Sequence, residues 1–460
     1  MSKSLKIYIK TLGCKINSFD SGVLEKQLAE KKYEITEAVK EAHVAIINSC
    51  SVTENAEKDA RYLLRRYGRE NPNLFKVITG CYAQTSAAKV SNLEEVDWIA
   101  TNELKDKISS LLGLRYQQWL EKDKAPEAYK KLELPAEDKK PTHFKSNAVF
   151  FDHYRSNKTR AYLKIQDGCN NFCTYCQIPF ARGKSVSVEK SRLISEISTL
   201  VKKGVPEVVL AGIDIGDYGR EVGKHYEPED IPMLDLLKDI FSISGLKRLR
   251  MSSIEPSDVS EAMLEIFAQN AHIFCDHFHL PLQSGCDRIL KRMSRSYNTE
   301  KFYENVTLIR KFFPKAMITA DIIPGFPGES QEDFEETLEF IKKCDLNSLH
   351  VFPYSKRPYT VAARMPEQLD PRLIKERAYT LRQYQKSAEH AYAKKFVNCE
   401  LEVLWEEKKD KLGRLQGKSK NYLPVVLASQ AQHAVSVGTV SRVLVKGMLQ
   451  DRQLLAVALS

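Results

Sequence analysis

The sequence predicts a three-part α/β protein: an N-terminal Rossmann-like parallel α/β domain, a central partial (β/α)6 barrel and a small C-terminal antiparallel β-barrel. Three observations carry this expectation. Short apolar strands alternate with helical stretches up to about residue 120. A second strand–helix series starts at Arg160 and runs to six units. Beyond a long helix from about Pro371 to Lys395, the pattern becomes short strands divided by polar turns.

In the first series LKIYIK leads into the helical pattern of LEKQLAEKK, VAIINS precedes a helix from Glu54 to Tyr67, and FKVITG opens a third unit. Strands separated by helices pair in parallel, because the crossover returns each strand in the same direction. The stretch EKDKAPEAYKKLELPAEDKKPTHF is dense in Lys, Glu, Pro and Asp and reads as a solvated linker. The second series has strands at AYLKIQD, EVVLAG, LKRLRMSS, DHFHLPL, AMITADIIPG and SLHVFPYS. Six units are too many for half a dinucleotide fold and too few for a closed eight-unit barrel, so an open barrel fits. CELEVLWEE, GRLQGKS, LPVVLAS and VSRVLVKGML supply the last barrel. The expected boundaries are 1–122, a linker over 123–150, 151–390 and 391–460.

With 460 residues, 43% of them hydrophobic and 28% charged, the chain is not a disordered one. No run approaches the roughly 18 apolar residues of a membrane span, and MSKSLKIYIKTLGCK lacks the apolar stretch of a signal peptide, so a cytoplasmic protein without membrane contact is expected. The formal charge of +10 permits a polyanionic partner. From Ala391 to Ser460 there are 11 Lys/Arg against 6 Asp/Glu, a surplus of 5. Arg414, Lys418, Lys420 and Tyr422 in GRLQGKSKNYL would give that barrel a basic surface with an aromatic for stacking on bases.

Ten cysteines in a reducing compartment point to metal rather than to disulfides. The strongest signal is Cys169-x3-Cys173-x2-Cys176, on the loop after the first strand of the second series, at the end where α/β sites assemble. Three thiolates from one compact loop can hold three irons of a 4Fe-4S cube and leave the fourth open. Zinc usually takes four closed ligands in paired Cys-x2-Cys units, and no second pair lies nearby. Cys14, Cys50 and Cys81 each follow a different strand of the first series and would converge on one sheet edge as a second three-thiolate set. Each taken singly reads as a buried small residue. Cys275, Cys286, Cys344 and Cys399 have no such placement and read as structural.

Both constellations together make the chain resemble the methylthiotransferase family of radical S-adenosylmethionine (SAM) enzymes along nearly its full length. The matching stretches are TLGCKIN, INSCSVT, TGCYAQ, IQDGCNNFCTYC, IPFARG, HLPLQSG and DIIPGFPGE, followed by the β-rich tail. The pairing of TLGCKIN with TGCYAQ and DGCNNFCTYC looks most like the branch acting on threonylcarbamoyladenosine beside the tRNA anticodon. The resemblance implies a radical SAM barrel and an RNA-binding tail of the TRAM type. It also implies an auxiliary 4Fe-4S cluster on Cys14, Cys50 and Cys81, and a radical-generating one on Cys169, Cys173 and Cys176. SAM as cofactor, a flavodoxin or ferredoxin as electron donor, a separate sulfur donor, a tRNA anticodon stem-loop as substrate and a monomeric enzyme follow from it as expectations. Gln177 stands where the family generally has an apolar residue, and Tyr359 where glycine is usual. Alternatives are another modified adenosine, a ribosomal-protein aspartate, or a non-catalytic zinc-containing RNA-binding protein.

Strand-end residues of the second series are candidate SAM contacts: Gly212 and Asp214, Ser253 and Glu255, Gln283, and Asp321 before the turn of Pro324, Gly325, Pro327 and Gly328. His277 and His279 alternate within one strand and read as satisfied sheet residues. The charges of Arg182-Gly183-Lys184 read as solvated loop.

Overall fold

The computed structural model describes residues 4–122, 159–221, 223–227, 230–428, 435–450 and 452–459. The expected linker at 123–150 lies outside them. The described residues fall into two compact units. The first holds those within Met1–Arg155 together with Gln166–Val186 and Ser355–Arg364; the second holds those within Ser156–Ile165, Ser187–Tyr354 and Met365–Ser460.

The first unit is built on a five-stranded parallel sheet in the order β2-β1-β3-β4-β5, with β1 at Lys6–Thr11, β2 at Glu34–Ile35, β3 at Val44–Ser49, β4 at Phe75–Gly80 and β5 at Trp98–Ala100. Strand β3 is buried at every residue, as a central parallel strand covered on both faces must be. Its alternate side chains serve opposite layers. Val44 and Ile46 pack with Leu24 and Leu28 of helix α1 (Lys15–Glu30) and Leu112 and Trp119 of α4 (Ile108–Leu120). Ala45 and Ile47 pack with Ala60, Leu64 and Tyr67 of α2 (Glu54–Glu70) and with Tyr82 and Ala83 of the short α3 (Cys81–Thr85). Helix α2 starts where Thr53 accepts the Ala56 amide at 3.2 Å, an N-cap ahead of an acidic first turn. The short α5 (Ile178–Arg182) completes the unit.

In the second unit six parallel strands follow the predicted order: β6 (Arg160–Lys164), β7 (Glu207–Ala211), β8 (Leu249–Met251), β9 (His277–Gln283), β10 (Met317–Ile322) and β11 (Ser348–Val351). They form two three-stranded sheets, β8-β7-β6 and β9-β10-β11, linked by parallel bridges Leu249↔Phe274 and Ser253↔His279. Among the described residues β6 and β11 are not paired, so the barrel is open, as the strand count predicts. Helices α6 (Lys190–Lys202), α7 (Pro232–Phe241), α8 (Glu261–Gln269), α9 (Thr299–Phe312) and α10 (Gln331–Lys343) connect them. Helix α10 opens with a reciprocal Ser330/Asp333 capping box.

Helix α11 (Pro371–Lys394) runs beside β11 and leads into a closed barrel of five strands in the order β12-β13-β14-β16-β15. These are Glu400–Lys409, Leu415–Ser419, Pro424–Leu427, Val440–Met448 and, for β16, Leu454–Ala458. The pairing of β14 with β16 is parallel, a departure from the wholly antiparallel barrel expected. Strand β16 is also additional to the four predicted ones, because LLAVA is an apolar run without alternation. Fully buried Trp405 fills the centre and its indole N–H donates to Ser441 Oγ at 2.8 Å.

Candidate functional site

The three first-unit cysteines stand at the C-terminal ends of three adjacent strands, as predicted. Cys14 is the N-cap of α1 after β1, Cys50 follows β3, and Cys81 is the first residue of α3 after β4. Two asparagines fix these loops. Asn17 Nδ2 donates to Leu12 O at 2.8 Å and Ser49 O at 3.0 Å, tying the Cys14 loop to the Cys50 loop. Asn48 Nδ2 donates to Asn17 O at 2.9 Å and Ser21 Oγ at 3.0 Å. Gly13, at φ +93°, lets the loops close: a methyl group there would lie 2.5 Å from Cys50 Cβ and 2.8 Å from its Sγ. Gly80, at φ +92°, passes so close to Ser49 O that a Cβ would sit 2.3 Å away.

The Cys169–Cys176 loop belongs to the same unit. It is closed by Cys169 N–H to Gly183 O at 3.2 Å and Cys176 N–H to Cys173 O at 2.9 Å. The amides of Asn171 and Ile178 point at Cys169 Sγ and Cys176 Sγ, each at 3.4 Å. Amides aimed at sulfur favour the thiolate and tune the potential of a cluster held there. Helix α5 follows at once and lies against α3, the helix headed by Cys81. The loop of one cysteine set is thus continuous with a helix packed on the other.

Arg182 ends α5 and corrects the expectation of a solvated loop charge: it is 3% exposed. Its Nη1 donates to both oxygens of Asp167 at 2.9 and 3.0 Å, and its Nη2 to Asn17 Oδ1 at 2.6 Å and Asp20 Oδ2 at 3.2 Å. Lys105 reaches the same Asp20 oxygen at 2.9 Å. Burial pushes the Cys50 thiol up to about 12 and also raises Cys81, while the Arg182 charge works against burial at both. Two buried thiols thus sit beside a buried cation, with Cys14 and Cys81 at helix starts, and a metal bound by the set would take them as thiolates. Three thiolates would bring three negative charges, of which this single cation, shared with Asp167 and Asp20, offsets only a part.

Segment 355–364 is held on the Cys50 side of the unit. Arg357 Nη1 donates to Glu57 Oε1 at 2.5 Å and Ser51 O at 3.5 Å. The two unusual residues meet here. Gln177 is buried, and its Nε2 donates to Pro358 O at 2.9 Å. Tyr359 adopts φ +67°, the left-handed conformation for which glycine is the usual residue, and its ring packs 6.0 Å from Phe180. Of these residues Asn17, Asn48, Asp20, Asp167 and Arg357 are absent from the predicted site, although all lie within three residues of TLGCKIN, INSCSVT, IQDGC or RPYT motifs.

In the second unit the candidate cofactor residues end four strands. Gly212 and Asp214 follow β7, Ser253 and Glu255 follow β8, Gln283 ends β9 and Asp321 lies in β10. Burial, with Asp258 and Glu255 nearby, pushes the Asp214 carboxyl up to about 7. Burial likewise takes Glu255 to about 7 although Arg295 pairs with it. Asp321 is also buried, yet His279 Nε2 at 3.0 Å and His350 Nδ1 at 3.2 Å hold its carboxyl below the usual range. Gln283 takes φ +66° at an irregularity in the β9–β10 pairing. His277 bonds Thr319 Oγ1 at 3.2 Å, and His279 bonds it at 2.8 Å. Cys275, Cys286 and Cys344 are buried, as structural cysteines should be.

The four barrel residues expected to face RNA are engaged inside the second unit. Tyr422 stacks on His277 at 4.8 Å, with Arg250 4.8 Å and Arg160 5.6 Å from its ring. Lys418 Nζ also lies 4.8 Å from that ring, and burial followed by Arg160 lowers its ammonium to about 8. Lys420 donates to His272 O at 2.6 Å and Ala271 O at 3.2 Å, and Arg414 pairs with Asp410 at 2.7 Å. Alternation marks which strand face a residue takes, but not that β6, β8 and β9 cover that face.

No helix among the described residues is long and apolar enough to cross a membrane. An open six-stranded parallel barrel with a Cys-x3-Cys-x2-Cys loop after its first strand defines a radical SAM enzyme, and the Radical SAM superfamily model matches residues 163–341. The model described as Uncharacterized protein family UPF0004 matches residues 6–101, the span bearing Cys14, Cys50 and Cys81. The chain is 36% identical to the threonylcarbamoyladenosine tRNA methylthiotransferase MtaB of Bacillus subtilis (strain 168), over 90% of this chain and 89% of that protein. It is 33% identical to the tRNA-2-methylthio-N(6)-dimethylallyladenosine synthase of Desulfitobacterium hafniense (strain Y51), over 96% and 95%. This chain belongs to the methylthiotransferase family of radical SAM enzymes. Among solved structures, the radical SAM methyltransferase TsrM of Kitasatospora setae shares its fold at a TM-score of 0.55 and 13% identity, over 78% of this chain and 74% of that one.

Proposed function

We infer that this chain transfers a methylthio group to carbon 2 of N6-threonylcarbamoyladenosine next to the anticodon of tRNA, using SAM and two 4Fe-4S clusters. The observation that supports it best is the meeting, in one unit, of three cysteine-bearing strand ends around Arg182, itself the end of the helix that follows the second cysteine set. Cys14, Cys50 and Cys81 would hold the auxiliary cluster, and Cys169, Cys173 and Cys176 the other. When bound, the clusters supply, with SAM, the one-electron chemistry and the sulfur that an unactivated aromatic C–H bond requires. The chain's own part is to position and to screen. Asn17 and Asn48 set the spacing of the Cys14 and Cys50 loops, and Arg182 offsets part of the thiolate charge. At the strand ends of the second unit, Asp214 and Glu255 offer carboxylates to the ammonium and sulfonium of SAM; Gly212, Ser253, Gln283 and Asp321 are the remaining proposed contacts. We further read a flavodoxin or ferredoxin as reductant, a separate sulfur donor and a monomeric, cytoplasmic enzyme. Residues 1–122, 151–390 and 391–460 are taken as the three working parts.

The test is nucleoside analysis of tRNA after incubation with the cluster-loaded enzyme, SAM and reductant. The expected product is the 2-methylthio derivative of threonylcarbamoyladenosine. Methylthiolation of dimethylallyladenosine alone would move the chain to the other branch.

A further inference from the structure

Helix α11 is fixed in rotation by its buried side. Ile374, Ala378, Leu381 and Tyr392 are buried, Arg377 donates to Glu329 Oε2 at 2.6 Å, and Tyr392 Oη donates to Lys315 O at 2.8 Å. At roughly 100° per residue, Arg372, Lys375, Tyr379, Arg382, Lys386 and Lys394 then fall within a sector of about 120° on the opposite side. All six are exposed, Tyr379 by 63%. From Arg372 to Lys394 the stripe is about 33 Å long. Of the helix's two acids, Glu376 falls at one edge of the stripe and Glu389 just outside the other, where it faces Ser348 and Arg452. None of these five Lys and Arg side chains makes an ion pair among the described residues.

A run of charge on a helix is ordinarily a solvated face balanced by opposite charges at i±3 or i±4. Here Glu376 stands four residues after Arg372 and Glu389 three after Lys386, but neither forms an ion pair with them among the described residues, and Lys375, Arg382 and Lys394 have no acid at those spacings; the stripe also presents a ring where bases can stack. The barrel residues that sequence reading set toward RNA are engaged within the unit, whereas the α11 stripe is exposed along its length. We propose that the exposed face of α11 is a docking surface for the phosphate backbone of tRNA. This rests on the tRNA substrate inferred above. It adds a contact that positions the substrate without reading its sequence, since backbone contacts carry no base information.

The test measures affinity for an unmodified tRNA transcript against salt concentration, using the full-length cluster-loaded enzyme. Lys375→Gln/Arg382→Gln/Lys386→Gln is compared with wild type and with Lys202→Gln/Lys203→Gln/Lys247→Gln, which removes the same charge from exposed positions elsewhere in the unit. The α11 variant is expected to bind on the order of tenfold or more weakly at low salt, with the log–log salt slope shallower by roughly 2 to 3, at unchanged circular dichroism. The control variant is expected to lose less than a third of that effect. Equal losses in both variants, or none in the α11 variant, would overturn the proposal. Absence of tRNA binding by wild type would instead overturn the functional reading on which it rests.

Discussion

Arg182→Ala is expected to destabilise the first unit by about 3–5 kcal/mol and to strip it of auxiliary-cluster iron. The arginine forks between Asp167 and the pair Asn17 and Asp20, all nearly sealed from water. Removing it takes the guanidinium away from two buried carboxylates, Asp167 and Asp20, the second of which also meets Lys105. Desolvated charges left in that state cost several kcal/mol, far more than the pair itself contributes. The loss also reaches the metal site, because Asn17 bridges the Cys14 and Cys50 loops and receives one of the Arg182 bonds. Arg182→Lys is expected to recover part of the stability, since a single ammonium restores the charge but not the planar fork. Denaturant unfolding and iron content on the same samples check both parts. An Arg182→Ala protein as stable and as iron-loaded as wild type would show that the guanidinium merely fills space.

Glu207→Gln is expected to cost the second unit a comparable amount. Glu207 is fully buried at the start of β7, 3.1 Å from Arg160, 3.0 Å from Arg248 and 2.8 Å from Arg250. Burial alone would raise its carboxyl, but Arg250, Arg248 and Arg160 outweigh it and hold the value at about 2, below the ordinary 4.5. Because the folded value is the lower one, this stabilisation is complete above about pH 4.5 and disappears as pH falls toward 2; it amounts to about 3 kcal/mol. Wild type should therefore lose stability through that window, and Glu207→Gln should start lower and show a flatter acid limb. The effect is below the full cost of three orphaned cations because Glu406 still reaches Arg160 at 2.5 Å. Urea unfolding from pH 2.5 to 7 measures it. Parallel curves for the two proteins would remove Glu207 from the source of acid sensitivity.

The sequence makes the strands and the six cysteines legible for one physical reason. A covered parallel strand has to be an apolar run, and a ligand on the loop after it has to follow that run directly, so VAIINSC displays both features in seven letters. Arg182 is illegible by the same logic. A lone charge beside glycine is typical of exposed turns, and what buries it, Asp20 and Asp167, lies 162 and 15 residues away. Lys418 and Tyr422 fail in the opposite direction. Lys418 lies on a strand that alternates as a half-exposed one does and Tyr422 in the turn after it, yet Arg160, Arg250 and His277 pack over the Tyr422 ring. The parallel β14–β16 pair closes the last barrel through a strand, LLAVA, whose uniform apolarity carries no period. Tyr359 was legible as a departure, and its left-handed backbone is the physical content of the glycine it replaces.

The most direct measurement is iron and acid-labile sulfide per chain after anaerobic reconstitution of wild type and two triple variants. Wild type is expected to hold about eight irons, Cys14→Ala/Cys50→Ala/Cys81→Ala about four, and Cys169→Ala/Cys173→Ala/Cys176→Ala about four, as each set grips one cube independently. A wild-type value of about four that the first triple variant leaves unchanged would contradict the auxiliary cluster, and with it the transfer of sulfur by this chain.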